Sequence, residues 1–485
     1  MKQQFLLMMM ALLPMAASAD DSGICGGTNV TWSWVESTKT LTISGTGDMP
    51  DYDNSKWTSD VPMFDPNPWD QYNDKIEKVV IGNGVTYIGG GSFYGANGTK
   101  YLNLKTVIIG SGVTEIGYFA FRHCNGITSI TVDPGNSYLD SRNNCNAVIE
   151  KSSNKLIVGC KTTVIPSSVR EIGFAAFNCL KGITSVTIPD GVTSIGGVAF
   201  YGCPDLTTVT IGNDVTEIGD GSFYICEKIT TLTLGNKVSI IGSNAFTGCT
   251  GLTSISFPNS LTSIGEHAFR WCDNISSITL PDNVSSIGSF AFCGCSNLST
   301  VTLGYYLSNI GSNAFVECDK LSNVYCYAPI PPSAESPFDS DIFYSMYFHV
   351  PSTSISLYQT EIEKGWCNMP FSCIKAITGS SSGKLTAPTI TIESGVLKFD
   401  CGTNDAEYRY SITYPESNEN MTGNNVLMPT SFTVSVFAVK SGYEKSDIAT
   451  KEFTIVNGVK GDLTGEGEVN VADHVELSKI ILNQK

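Results

Sequence analysis

The sequence predicts a β-rich solenoid, in which parallel strands stack and are joined by short helical or irregular returns, followed by a small β-sandwich and a short loop-helix tail. Three observations point there. Ile-Gly pairs begin at positions 88, 116, 172, 195, 218, 241, 264, 287 and 310, so that after steps of 28 and 56 every step is 23 residues. Self-similarity at a fixed period of roughly 20–50 residues is the mark of stacked units that share one core. Each unit opens on an alternating run such as LTTVTI (206–211) or LTSISF (252–257), the period-2 pattern of a strand with one buried face. Beyond residue 386 the period is lost and short alternating runs with turn residues between them take over.

The elements follow in chain order. Residues 1–19 carry Lys2, an apolar run over 5–13 and Ala17-Ser18-Ala19, the layout of a signal peptide cut before Asp20. The run is shorter than the roughly 20 apolar residues a membrane span needs, and residue 20 is not the cysteine an acylated anchor requires. Export is therefore expected. The chain of 485 residues is 41% hydrophobic and 15% charged, with a net charge of −17. That composition fits a folded β-rich extracellular protein. The negative charge excludes nucleic acid, whose affinity comes from Lys and Arg against phosphates, and a polybasic membrane contact.

Within the repeat, Ile195, Ala199, Phe200 and Cys203 and their equivalents are expected to face inward, since no unit can bury its apolar edge alone. The unit, as in ITSVTIPDGVTSIGGVAFYGC (183–203), resembles the BspA-type leucine-rich repeat of bacterial and protist surface proteins. The resemblance extends to an amino-terminal cap over 20–75, a solenoid over 76–327 and a carboxyl-terminal cap over 328–377. It also implies a hairpin insertion at about 133–165, which accounts for the 56-residue step as one unit of 23 plus 33 extra.

Of sixteen cysteines, Cys203, Cys226, Cys249, Cys272, Cys295 and Cys318 stand 23 apart, and Cys124 holds the same place earlier. Parallel side chains in a ladder cannot form a consistent set of pairs, so these are expected as buried, reduced thiols. CNAVIEKSSNKLIVGC (145–160) reads as a hairpin that sets Cys145 opposite Cys160, within disulfide reach.

The outward strand positions are hydroxyl residues on successive rungs: Ser129/Thr131, Ser185/Thr187, Thr208/Thr210, Thr231/Thr233, Ser254/Ser256, Ser277/Thr279 and Thr300/Thr302. Thr suits an exposed pleat. The same positions form an uncharged ladder suited to extended contact with glycan or protein, and Asn323/Tyr325 breaks the series near Tyr305, Tyr306 and Tyr327. Thr208 to Thr302 on this face, with Tyr325, are the candidate binding residues.

A linker is expected at 378–386 and the small β-sandwich at 387–456, which is similar to the carboxyl-terminal module of chitobiase-type enzymes. The tail, 460–485, resembles one half of a dockerin. That likeness implies one calcium ion held by Asp462, Thr464, Glu466, Glu468 through its carbonyl, Asn470 and Asp473, with Gly467 at the turn. Thr464 and the long Glu466 depart from the dockerin pattern, and a capped helix over 472–482 is the reading that needs no cofactor. No second loop follows.

His123, His267, His349 and His474 are scattered and none lies in HExxH or beside a zinc-type cysteine pair. The one GxSxG match, GSSSG at 379–383, lies in the linker stretch and not on a strand-to-helix elbow, and no phosphate loop is present, so no enzyme is expected. The resemblance implies a secreted or cell-surface protein, on the outer surface of a Gram-negative-type bacterium, that adheres to host or bacterial surface proteins or glycans. The alternative is an accessory subunit of a glycan-handling surface assembly, recruited by a scaffold that binds its tail.

Overall fold

The computed structural model describes residues 19–25, 29–52, 67–95, 99–377, 387–393, 396–400, 407–413, 431–439 and 449–454. The chain divides into two compact units, Met1–Ile377 and Thr378–Lys485.

The first unit is the expected β-solenoid. Its period-2 runs become short strands on one side: Ser185–Ile188, Thr208–Ile211 and Thr231–Thr233 pair in parallel, as do Ser277–Thr279, Thr300–Leu303 and Asn323–Cys326. Two-residue strands ending in the repeated Ile form the other side. Ile172, Ile195, Ile218, Ile241, Ile264, Ile287 and Ile310 stack in register through one eleven-stranded sheet. The glycine after each Ile is set by how closely the coils approach: a Cβ on Gly219 would lie 2.5 Å from the Ile195 carbonyl oxygen. Between the sheets the Phe residues form one continuous stack from Phe177 through Phe200, Phe223, Phe246, Phe269, Phe292 and Phe315 to Phe338. Successive centroids are 4.7–5.4 Å apart.

At the amino-terminal end the strands Asp21–Ile24, Val30–Val35 and Thr40–Gly45 form an antiparallel meander, and the last of them starts the parallel sheet by pairing with Lys78–Ile81. At the other end the parallel sheet runs on through Tyr347–Val350 and Ile374–Ala376, under the single described α-helix, Ile355–Glu363.

The insertion is a hairpin of Ala147–Glu150 and Lys155–Gly159, and it divides the solenoid. The buried residues form two cores, one up to Cys160 on the hairpin's first face and one from Cys145 onward on its other face. The expected Cys145–Cys160 bridge is accordingly corrected. Ala147 pairs with Gly159, so Cys160 comes opposite Asn146 rather than Cys145, and alternation sends the two side chains into different cores. Both thiols are free and buried.

In the second unit Thr389–Glu393 pairs with Val396–Asp400, and Glu407–Thr413, Ser431–Val439 and Ala449–Thr454 form a three-stranded antiparallel sheet.

Candidate functional site

Two sets of hydroxyls lie along the coils, and the structure separates them by what they bond. Those just before the strands bond the carbonyl one coil back: Thr207 to Thr184 at 2.9 Å, Ser299 to Ser276 at 3.0 Å and Ser322 to Ser299 at 3.2 Å. Before the two-residue strands, Thr216, Ser239, Thr262, Ser285 and Ser308 each do the same to the coil before, at 2.9–3.2 Å. These hydroxyls are structural, since each satisfies a backbone oxygen outside the sheet ladder.

The candidate face is different. The side chains of Thr208, Thr210, Thr231, Thr233, Ser254, Ser256, Ser277, Thr279, Thr300 and Thr302 make no hydrogen bond among the described residues. Within a strand the neighbouring carbonyls are taken by the ladder, so an outward hydroxyl keeps its donor and its lone pairs for whatever lies above the sheet. The rungs are in register, Ser185 with Thr208 with Thr231, and Ser277 with Thr300 with Asn323. They do not form one unbroken ladder. Ser129/Thr131 belongs to the sheet before the hairpin, and around Ser254/Ser256 no strand pairing is made, which leaves three patches.

The last patch ends in aromatic rings. Thr302 is followed in register by Tyr325, His349 and Lys375, and Asn323 by Tyr347. The Tyr325 and His349 rings stack at 4.4 Å, His349 Nε2 lies 3.1 Å from Asn323 Oδ1, and Lys375 Nζ sits 5.3 Å above the Tyr347 ring. Burial lowers the His349 pKa, and the nearby Lys375 charge acts in the same direction. Tyr347 is 49% exposed. Tyr305 and Tyr306 meet edge to face at 5.0 Å in the preceding turn. Sequence reasoning found Tyr325 and missed Tyr347, His349 and Lys375. The run YFHV, with its alternation of outward ring and inward apolar residue, carried the signal of one more rung.

The ladder cysteines are buried and free, and they do more than fill space. Cys203, Cys226, Cys249, Cys272, Cys295 and Cys318 each donate through Sγ to a Phe carbonyl of the coil before, at 3.1–3.3 Å. Cys124 does the same to Phe93 at 2.8 Å. Burial pushes the thiols of Cys249, Cys272 and Cys295 well up, away from the reactive thiolate. Among the described residues no group of three or more His, Cys, Asp or Glu side chains is placed to hold a metal ion. The calcium loop expected from Asp462, Thr464, Glu466, Glu468, Asn470 and Asp473 lies outside the described residues, as does the signal peptide. Among the described residues no helix is long and apolar enough to cross a membrane.

Residues 71–150, 147–275 and 216–346 match the BspA type leucine rich repeat region, in six copies. Among solved structures the chain is similar to a leucine-rich repeat protein from Bacteroides ovatus, with 21% identity over 72% of this chain and 99% of that one and a TM-score of 0.40. It is also similar to a leucine rich cell surface protein from Faecalibacterium prausnitzii, with 19% identity over 76% and 97% of the two chains and a TM-score of 0.29. The leucine rich repeat protein of T. pallidum is 25% identical over 46% of this chain and 94% of that one, with a TM-score of 0.34. Among curated proteins none matches the chain.

Proposed function

The chain belongs to the BspA-type leucine-rich repeat family, and on that premise we propose that it is an exported, non-catalytic protein of the cell surface that adheres to surface proteins or glycans. One observation carries the reading: the hydroxyls of the strand face are left uncommitted while those beside it are bonded into the backbone. A flat row of free donors and acceptors repeating at about 4.8 Å offers many weak contacts to an extended ligand, and their combined strength comes from simultaneous engagement. The rings of Tyr325, His349 and Tyr347, with the Lys375 ammonium, supply the anchor that hydroxyls lack.

Glycan and matrix-protein arrays probed with the mature protein test this. Binding is expected on one of the two, and Tyr325→Ala with Tyr347→Ala should weaken it by about tenfold per ring, the range of an interfacial aromatic anchor. Protein targets support adhesion, and polysaccharide targets support the accessory role in a glycan-handling assembly. Binding that survives both substitutions would remove this face from the reading.

A further inference from the structure

One coil of the solenoid, residues 113–124, accepts from the coil before it but, among the described residues, has three N–H groups that bond nothing in the coil after it. In each coil three alternate N–H groups point along the stack and bond carbonyls of the next coil. Gly91, Phe93 and Gly95 donate to Tyr118, Ala120 and Arg122 at 3.2, 2.8 and 2.8 Å. Ala175, Phe177 and Cys179 donate to Gly197, Ala199 and Tyr201 at 3.1, 2.7 and 2.6 Å, and the pattern repeats up to Phe290, Phe292 and Gly294. The equivalent donors of coil 113–124 are Phe119, Phe121 and His123, and none of these three N–H groups has an acceptor among the described residues. Their backbone is not distorted. Phe119 and His123 have φ of 60° and 63°, against 55° and 57° at the paired Ala175 and Cys179.

The hairpin explains the difference. Its strand Lys155–Gly159 takes the place of a coil beside residues 171–180: Leu156 pairs with Ile172, Gly173 N–H donates to the Leu156 carbonyl at 2.7 Å, and Gly159 N–H takes the Ala176 carbonyl at 2.8 Å. The strand runs straight where a coil curls, so it presents no carbonyl to coil 113–124. Gly159 packs directly on Phe177, where a Cβ would lie 2.1 Å from the ring, and this closes the Phe stack from one side. Phe121, 5.2 Å from Phe93, closes the shorter stack from the other.

A cavity of about 550 Å³ lies between, within the roughly 300–1,000 Å³ usual for ligand sites. Its walls carry further unmet polar atoms. Among the described residues Arg122 Nε and both ring nitrogens of His123 are buried without a partner. Asn178, 8% exposed, spends its amide nitrogen on the Val198 carbonyl at 3.2 Å and leaves Oδ1 unpaired. The rim is aromatic: Tyr118, 67% exposed, meets Phe174, 43% exposed, edge to face at 5.2 Å.

We propose that this notch is a docking site for an uncharged peptide segment of a partner protein, bound so that three alternate backbone carbonyls accept from the N–H groups of Phe119, Phe121 and His123. These three donors stand in the arrangement that every neighbouring coil uses to take peptide carbonyls, so the complement is a chain and not a point. A simple anion spans at most part of the row. The charges lining the notch are also balanced, Arg122 and Lys155 against Glu115 and Glu150, and provide no net field to draw one. Asn178 Oδ1 gives an N–H of the segment a place to donate, and Tyr118 and Phe174 give its side chains an apolar edge. The mode is strand addition to an unpaired edge, and it is independent of the hydroxyl face.

Site-resolved hydrogen exchange on the full chain tests it. In the free protein the amides of Phe119, Phe121 and His123 should exchange at least roughly 100-fold faster than those of Val198, Phe200 and Gly202, which are bonded. The probe is the acetylated and amidated peptide GGVAFYG, the sequence of residues 196–202, whose carbonyls fill this role in the regular stack. At saturation it should slow the three notch amides by roughly tenfold or more and leave the other three unchanged. Tyr118→Ser with Phe174→Ser should reduce that protection without moving the unfolding midpoint. Protection already present in the free protein overturns the proposal, since the donors then have a partner. Equal protection by acetate or inorganic phosphate overturns it in favour of an anion site. No protection by this peptide or by a pool of uncharged heptapeptides at millimolar total concentration also overturns it.

Discussion

The solenoid before the hairpin and the solenoid after it solve the same packing problem with different means. From residue 169 to residue 323 every coil has the same length, so identical side chains fall in register and one ring type serves throughout. Phe223 and Phe246 are parallel to within 0° and Phe292 and Phe315 to within 2°. Before the hairpin the Ile-Gly step is 28, and the extra residues displace that register. There Trp69, Phe93, Tyr101 and Phe121 pack partly stacked and partly edge to face. Side-chain bonds replace repetition: Tyr101 donates to Asp70 at 3.1 Å, Lys100 pairs with Asp70 at 2.7 Å, and Tyr72 donates to Asp21 at 2.6 Å. Equal spacing lets one residue type do the work of many, and unequal spacing requires each contact to be made individually.

That contrast can be broken most directly at the rings. Phe246 is fully buried between Phe223 and Phe269, each 5.3 Å away, so Phe246→Ala should cost about 3–5 kcal/mol in a denaturant titration. The loss of exchange protection should stay on the carboxyl-terminal side of the hairpin, because the two cores are separate. Phe121 is partly exposed and, among the described residues, stacks on Phe93 alone, so Phe121→Ala should cost less, about 1–2 kcal/mol. Equal costs at the two positions would show that the notch is closed in solution.

A pH titration separates the two parts next. Burial lowers the His123 pKa to about 4, and the charges of Arg122 and Lys181 act in the same direction. Later coils carry Gly202, Ile225 or Gly248 at this position. The folded protein keeps the ring neutral, while the unfolded chain takes up a proton below the ordinary imidazole value of about 6.5. Stability is therefore fully present above that value and falls as the pH drops through the window down to about 4. After allowance for partial exposure the contribution is about 1–2 kcal/mol. His123→Gln should flatten urea midpoints measured between pH 7 and pH 4.5, and an unchanged slope would place the titration elsewhere.

The smallest effect concerns what the two parts share. Cys124 and Cys249 both donate to a Phe carbonyl of the coil before. Cys124→Ala and Cys249→Ala should each cost about 1 kcal/mol, from the lost sulfur contacts and one unmet carbonyl. A cost at one site alone would mean that the bond is not a common device.

The hydroxyl rungs show where sequence reading reached its limit. Thr207 and Thr208 are neighbours of one type, yet Thr207 is bonded into the backbone and Thr208 makes no side-chain bond among the described residues. Composition cannot distinguish them, because the difference is whether a carbonyl of the previous coil lies within reach. Tyr325 was legible as a break in a hydroxyl series. His349 and Lys375 were not, because they join Tyr325 only through strands contributed from 24 and 50 residues further along the chain.

The 23-residue period by itself determined the stacked strands, the inward Ile, Ala, Phe and Cys positions and the reduced state of the ladder thiols, since identical units that share a core can close in only one register. Tertiary structure decided everything that depends on what stands beside a unit. It sent Cys145 and Cys160 to opposite faces of a strand pair through a one-residue offset in pairing. It left Phe119, Phe121 and His123 as donors without acceptors among the described residues, because the hairpin strand meets one neighbouring coil and passes the other. Local sequence encodes which groups a coil offers, and only the next element in space settles whether they are taken.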